Sequence, residues 1–173
     1  MNREQVEQRA EELFQGGLHC AEAVLAAVLE GQGVTASDYS PRAASAFGGG
    51  VGRSKKALCG ALSGGLIALG VLQGRDAPDE KWDAVASAAE AVRSRFEAGY
   101  GCTTCSEVLE RLGPQEGMGK CIRLAANTAG LFHEALAMPA DAGAAACGCT
   151  ARQAAAQQAK PSARQQCSCG CGG

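Results

Sequence analysis

Cys59-Gly60-Ala61-Leu62-Ser63-Gly64-Gly65-Leu66-Ile67-Ala68-Leu69-Gly70-Val71-Leu72 is apolar on every side of a helical projection. A helix that is apolar all round belongs inside a protein, so residues 59–72 are expected to form the central helix of an all-α domain. Gly60, Gly64 and Gly65 each cost about 1 kcal/mol relative to alanine inside a helix. What offsets that cost is close approach by neighbouring helices.

Working outward, residues 4–14 place Val6, Ala10, Leu13 and Phe14 near a 3.6-residue period, and Gly16-Gly17 ends that helix. Residues 20–29 form a second helix, ended by Gly31 and Gly33. Ser40-Pro41 opens a third, short helix running to Phe47, with proline in a first-turn position. Residues 79–98 read as amphipathic, with Trp82, Val85, Ala89, Val92 and Phe96 on the apolar side. Residues 104–112 begin with Thr104 and Glu107 in capping-box register, and residues 120–137 form the last helix. No stretch alternates as a strand does. The expected fold is a compact bundle of six or seven helices over residues 1–138.

Residues 139–173 read differently. They hold eleven Ala and five Gln but no Val, Ile, Leu, Met or aromatic residue. With so little to bury, such a segment cannot offset the entropy of ordering, and a flexible C-terminal tail is expected. The full chain has 173 residues, 16 Lys and Arg against 18 Asp and Glu, and a net charge of −2. This balance argues against nucleic acid as a partner. No apolar run reaches the ~20 residues that span a bilayer, and the opening residues lack an apolar signal core. No membrane partner is therefore expected, and the compartment to expect is the reducing cytoplasm. The glycine-rich central helix and the scarcity of aromatics leave a modest core, compatible with a homodimer.

Ten cysteines in a reducing compartment point to metal or redox ligands rather than a disulfide framework. In the folded part, Cys20, Cys59, Cys105 and Cys121 each begin a helix. A helix N-terminus offers unpaired N–H groups and partial positive charge, which lowers a thiol pKa and favours the thiolate that binds metals. Arg53, Lys55, Lys56 and Lys120 would add to this effect. The spacings of 39, 46 and 16 residues match no zinc finger or ferredoxin run, so any shared site has to be assembled by the fold. The bland alternative is cysteine standing in for alanine in a small-residue core.

Cys102-Thr103-Thr104-Cys105 is a CxxC pair, but no histidine follows and no βαβ pattern surrounds it. It reads as a local dithiol, with Cys102 an auxiliary or substitute ligand. The run Phe47-Gly48-Gly49-Gly50-Val51-Gly52-Arg53-Ser54 only approximates a phosphate loop and follows no strand. It is expected to be a close-approach loop in which Gly48, Gly49 and Gly50 offer backbone N–H groups to cluster sulfurs or an anion. His19 is a candidate for proton transfer or ligand support, whereas His133 reads as an ordinary helical residue. Cys147, Cys149, Cys167, Cys169 and Cys171 form CxC and CxCxC runs in the tail, suited to soft ions such as Cu(I) or Zn(II).

These pieces resemble the redox-active family named for its pattern C_GCAxxG_C_C. The matching residues are Cys20-Ala21-Glu22-Ala23-Val24-Leu25, the run Ala46–Arg53, Cys59-Gly60-Ala61-Leu62-Ser63-Gly64, Ala68-Leu69-Gly70, Gly101–Cys105 and finally Cys121. In that family the four shared cysteines fall on Cys20, Cys59, Cys105 and Cys121. The resemblance implies a small helical redox or metal-binding module without a settled reaction. A related helical domain occurs in split-Soret cytochromes, where non-haem iron–sulfur binding accompanies the haems; this chain has no CxxCH and would retain only the iron–sulfur part of that likeness. His19 stands where a polar residue such as Asn is common, Cys102 where Ser is common, and the tail lies beyond the family core. The expected function is electron transfer or redox sensing with an unidentified redox partner protein. The cofactor would be a [2Fe-2S] or [4Fe-4S] cluster on the four cysteines. The alternatives are a metal-free thiol/disulfide oxidoreductase and a Cu or Zn trafficking protein using the tail.

Overall fold

The structure is a computed structural model that describes residues 1–35 and 37–137. The expected tail, with Cys147, Cys149, Cys167, Cys169 and Cys171, lies outside the described residues. Six α-helices run in order: α1 (Arg3–Gln15), α2 (Cys20–Gly31), α3 (Gly60–Gln73), α4 (Asp83–Tyr100), α5 (Cys105–Leu112) and α6 (Gly119–Ala137). A 3₁₀ helix, Pro41–Phe47, sits between α2 and α3. Among the described residues there is no strand, only an isolated antiparallel bridge between Leu58 and Thr104. No helix among them is long and apolar enough to cross a membrane.

The start of α1 shows how local chemistry sets an element. The Asn2 side chain accepts from the Gln5 N–H at 2.9 Å, and the Gln5 side chain accepts from the Asn2 N–H at 2.8 Å. Two of the orphan donors of the first turn are satisfied reciprocally. Val6, Ala10 and Phe14 then face the core.

The centre of the bundle is shared by α2 and α3. Ala21 and the run Ala23–Leu29 are buried in α2, which packs against α1, α3 and α6. Helix α3 is buried from Gly60 to Gly65 and again at Ala68 and Leu69, then emerges at Val71, which is 60% exposed. Its glycines do what the sequence suggests. A Cβ on Gly64 would lie 2.8 Å from the Ala21 carbonyl carbon, and one on Gly65 would lie 2.6 Å from the Phe132 ring. Alanine at Gly64 would push apart backbones that now touch, and alanine at Gly65 would collide with the Phe132 ring.

Two local expectations differ from the structure. The amphipathic helix over residues 79–98 starts later, at Asp83, and Trp82 ahead of it is 61% exposed instead of packed. The fully buried residues of α4, Val92 and Phe96, lie in its C-terminal half, while Val85, Ala88 and Ala89 nearer its start are only partly buried against the core. The capping box at Thr104 and Glu107 is not made, for Thr104 forms no side-chain cap bond. The first amides of α5 are taken elsewhere: Cys105 N–H donates to Ala57 C=O and Ser106 N–H to Lys55 C=O, both at 2.9 Å. The loop before α3 thus caps α5 with its own backbone.

Candidate functional site: a cavity ringed by four thiols

The four helix starts place their cysteines in different registers. Cys59 is the N-cap of α3. Its N–H donates to Thr103 C=O at 2.8 Å and its carbonyl accepts from Ser63 N–H at 2.9 Å. Cys20 and Cys105 are the first residues of α2 and α5, and Cys121 is the third of α6. All four line one cavity of about 600 Å³. Cys59 and Cys105 are 6% and 8% exposed, while Cys20 and Cys121 are half-buried.

Around the thiols, His19, Arg53 and Lys55 bring polar and cationic groups, Val108, Leu109, Met118 and Leu124 bring apolar ones, and no carboxylate lines the cavity. Neither Arg53 nor Lys55 pairs with a carboxylate among the described residues. The expected contribution of Lys120 is absent, because its ammonium donates to Leu112 C=O at the end of α5. Lys56 is exposed and does not line the cavity.

The glycine loop is shaped by positive φ at five successive residues, from Gly49 to Arg53, and again at Lys55. Val51 at φ 60 is β-branched, a conformation that costs about 1–2 kcal/mol for a residue with a Cβ. Internal bonds hold the coil: Gly52 N–H to Ala46 C=O at 2.8 Å, Arg53 N–H to Gly48 C=O at 3.1 Å, and Lys55 N–H to Gly49 C=O at 3.0 Å. Those amides are spent inside the loop and are not free to cradle a phosphate. Gly48 and Gly49 line the cavity, and the Gly49 amide favours the Cys20 thiolate. Gly50 is buried beside it: a Cβ there would stand 2.6 Å from the Cys105 Cβ, at a φ of +70°. A Cβ on Gly60 would collide with the Cys20 sulfur.

At Cys20, Cys59 and Cys105 the helix start does not depress the thiol pKa. Burial raises all three that shift, Cys20, Cys59 and Cys105, and Cys59 is pushed up to about 12. For Cys59 the amides of Ala61 and Leu62 pull the other way without forming a full cap bond. Nearby sulfurs raise each thiol further: Cys121 acts on Cys20, Cys20 and Cys105 on Cys59, and Cys20 and Cys121 on Cys105. Desolvation outweighs the helix ends because the sulfurs are packed under apolar side chains. Burial at Cys20, Cys59 and Cys105 therefore favours the protonated thiol.

Cys102 is not brought to the cavity. It is 6% exposed, belongs to the apolar core, and its thiol donates to Tyr100 C=O at 3.5 Å. Gly101, at φ +74, ends α4 in the left-handed conformation, and the turn there leaves residue 102 beside its own helix end. The five described cysteines are free thiols. Among the described residues no three His, Cys, Asp or Glu side chains converge closely enough to hold a single metal ion.

Gln115 escaped the sequence reading. Its amide oxygen accepts from Cys121 N–H at 3.0 Å and its amide nitrogen donates to Cys121 Sγ at 3.1 Å. The sole sequence signal is its place in the linker over residues 113–118, before a cysteine-bearing helix. His19, the residue before α2, donates its backbone N–H to the Glu22 carboxylate at 2.9 Å, and Ser45 donates to the same carboxylate, fastening the 3₁₀ helix to α2.

These observations define an all-helical domain in which four helix starts bring four thiols to a common cavity. The chain belongs to the family described as "Putative redox-active protein (C_GCAxxG_C_C)", whose model matches residues 18–135. Comparisons with curated proteins and with solved structures give no match.

Proposed function

We propose that this redox-active protein transfers electrons or senses redox state through an iron–sulfur cluster held by Cys20, Cys59, Cys105 and Cys121. The observation that carries the reading is the pooling of four thiols from separate helix starts in one cavity. A lone tetrahedral ion needs its ligands drawn together at bonds of about 2.3 Å. A polynuclear cluster tolerates ligands spread around a wider space, and four cysteines are its usual donor set. The donor chemistry fits, and so do Gly50 and Gly60, where side chains would crowd Cys105 and Cys20. When bound, such a cluster supplies one-electron transfer without making or breaking bonds to the protein.

The chain's own residues supply the rest. Arg53 and Lys55 offset negative charge at the cavity wall. The Gly49 amide acts on the Cys20 sulfur. Val108, Leu109 and Leu124 line the cavity with apolar surface. Raised thiol pKa values disfavour the metal-free alternative, because thiol exchange at neutral pH needs the thiolate. Metal binding, in contrast, draws the proton off. Anaerobic reconstitution with iron and sulfide tests the proposal: visible charge-transfer absorbance with matching iron and sulfide is expected. A colourless, iron-free protein after that treatment rejects it.

A further inference from the structure

We infer that Gln115 is a positioning residue for Cys121 that sets the electron density on its sulfur. The inference rests on the cluster reading above and goes beyond it in assigning a role outside the four cysteines. Cys121 lies in the first turn of α6, where its N–H has no partner within the helix. Met118, the residue before the helix, offers no side-chain oxygen to cap it. The Gln115 amide oxygen fills that role at 3.0 Å. A backbone N–H only donates, so the oxygen has to face it, and this fixes which end of the amide meets the sulfur. The NH₂ end therefore points at Cys121 Sγ, 3.1 Å away, as a donor.

One side chain thus ties down the backbone of a ligand residue and hydrogen-bonds its sulfur. Hydrogen bonds to ligand sulfurs withdraw charge and favour the reduced state of a cluster, and such partners also stiffen the ligand. Cys121 is one of the two half-buried thiols, so the bond acts where the site is most open to solvent. Gln115 itself lines the cavity and is partly shielded. It carries no charge, so its effect is directional rather than a general field.

Two variants separate anchoring from donation. Gln115→Leu removes both bonds, whereas Gln115→Glu keeps an acceptor for the Cys121 N–H and replaces the donor with an oxygen. In metal-free protein, amide exchange at Cys121 followed by NMR should speed up about tenfold in Gln115→Leu, the equivalent of one lost hydrogen bond. It should stay slow in Gln115→Glu. In protein reconstituted with iron and sulfide, the midpoint potential should fall in both variants, and furthest in Gln115→Glu. An unchanged potential in Gln115→Leu overturns the inference, as does equal Cys121 exchange in wild type and Gln115→Leu. If wild type takes up no iron, the cluster reading fails and the redox role of Gln115 with it, while the exchange rates still accept or reject the clamp.

Discussion

The two walls of the thiol cavity are built by different means. On the side of α2, α3 and the glycine loop, backbone does most of the shaping: the Gly49 amide acts on Cys20, Ala61 and Leu62 amides act on Cys59, and Gly60 leaves room for the Cys20 sulfur. On the side of α5 and α6, side chains do it: Val108, Leu109, Met118 and Leu124 line the space and Gln115 grips Cys121. At Gly49 and Gly60 the backbone wall leaves no room for a side chain, because an added Cβ meets main chain or sulfur. A side-chain wall can be retuned residue by residue. The first wall is the natural candidate for holding the site's shape, and the second for setting its properties.

The sharpest way to break that contrast is to add volume within α3, behind the backbone wall. Gly64→Val forces a side chain onto the Ala21 backbone. Overpacking of this kind costs about 1–3 kcal/mol and more where backbone cannot move, so chemical denaturation should place this variant among the least stable. Leu109→Ala, on the facing wall and only partly buried, should cost less than Gly64→Val in the same titration. The reverse order would contradict the assignment of rigidity.

A pH titration of the metal-free protein probes the buried thiols. Cys59 is raised from about 9 to about 12 by burial and neighbouring sulfurs. The folded state keeps that proton longer than the unfolded chain does. Its contribution to stability is therefore complete below about pH 9 and is lost as pH rises towards about 12. Urea midpoints should fall across that window, and Cys59→Ala should flatten the fall. A Cys59→Ala profile as steep as wild type would mean that other groups cause it.

The smallest expected effect is at Thr104. A cap that works is worth about 1 kcal/mol, but Thr104 makes no cap bond and the amides of Cys105 and Ser106 are already held by Ala57 and Lys55 carbonyls. Thr104→Ala should change stability by less than about 0.5 kcal/mol in equilibrium unfolding. A loss near the full cap value would show that the hydroxyl does bond there.

The same contrast explains what was legible in the sequence. Helix periodicity, the glycine stops and the all-apolar run at residues 59–72 give the all-helical bundle, because each reports a local rule. The helix-start cysteines were legible for the same reason. The effect of burial on their pKa values was not, since helix ends are local but desolvation depends on what the fold lays over them. Thr104 failed likewise: the capping register is present, and a distant loop supplies the acceptors instead. Cys102 sits three residues from Cys105 in a CxxC pair, yet the left-handed turn at Gly101 leaves it beside Tyr100. Gln115 has no motif at all, and its two bonds to Cys121 exist because residues 113–118 fold back on the start of α6.

The central claim is that four cysteines act as one set and Cys102 stands outside it. Iron and acid-labile sulfide counted after anaerobic reconstitution of the five single Cys→Ser variants at positions 20, 59, 102, 105 and 121 test it most directly. Cys102→Ser should load like wild type, while each of the other four should lose most of the iron or the characteristic visible spectrum. Full loading in Cys59→Ser and Cys105→Ser, or loss confined to Cys102→Ser, would contradict it.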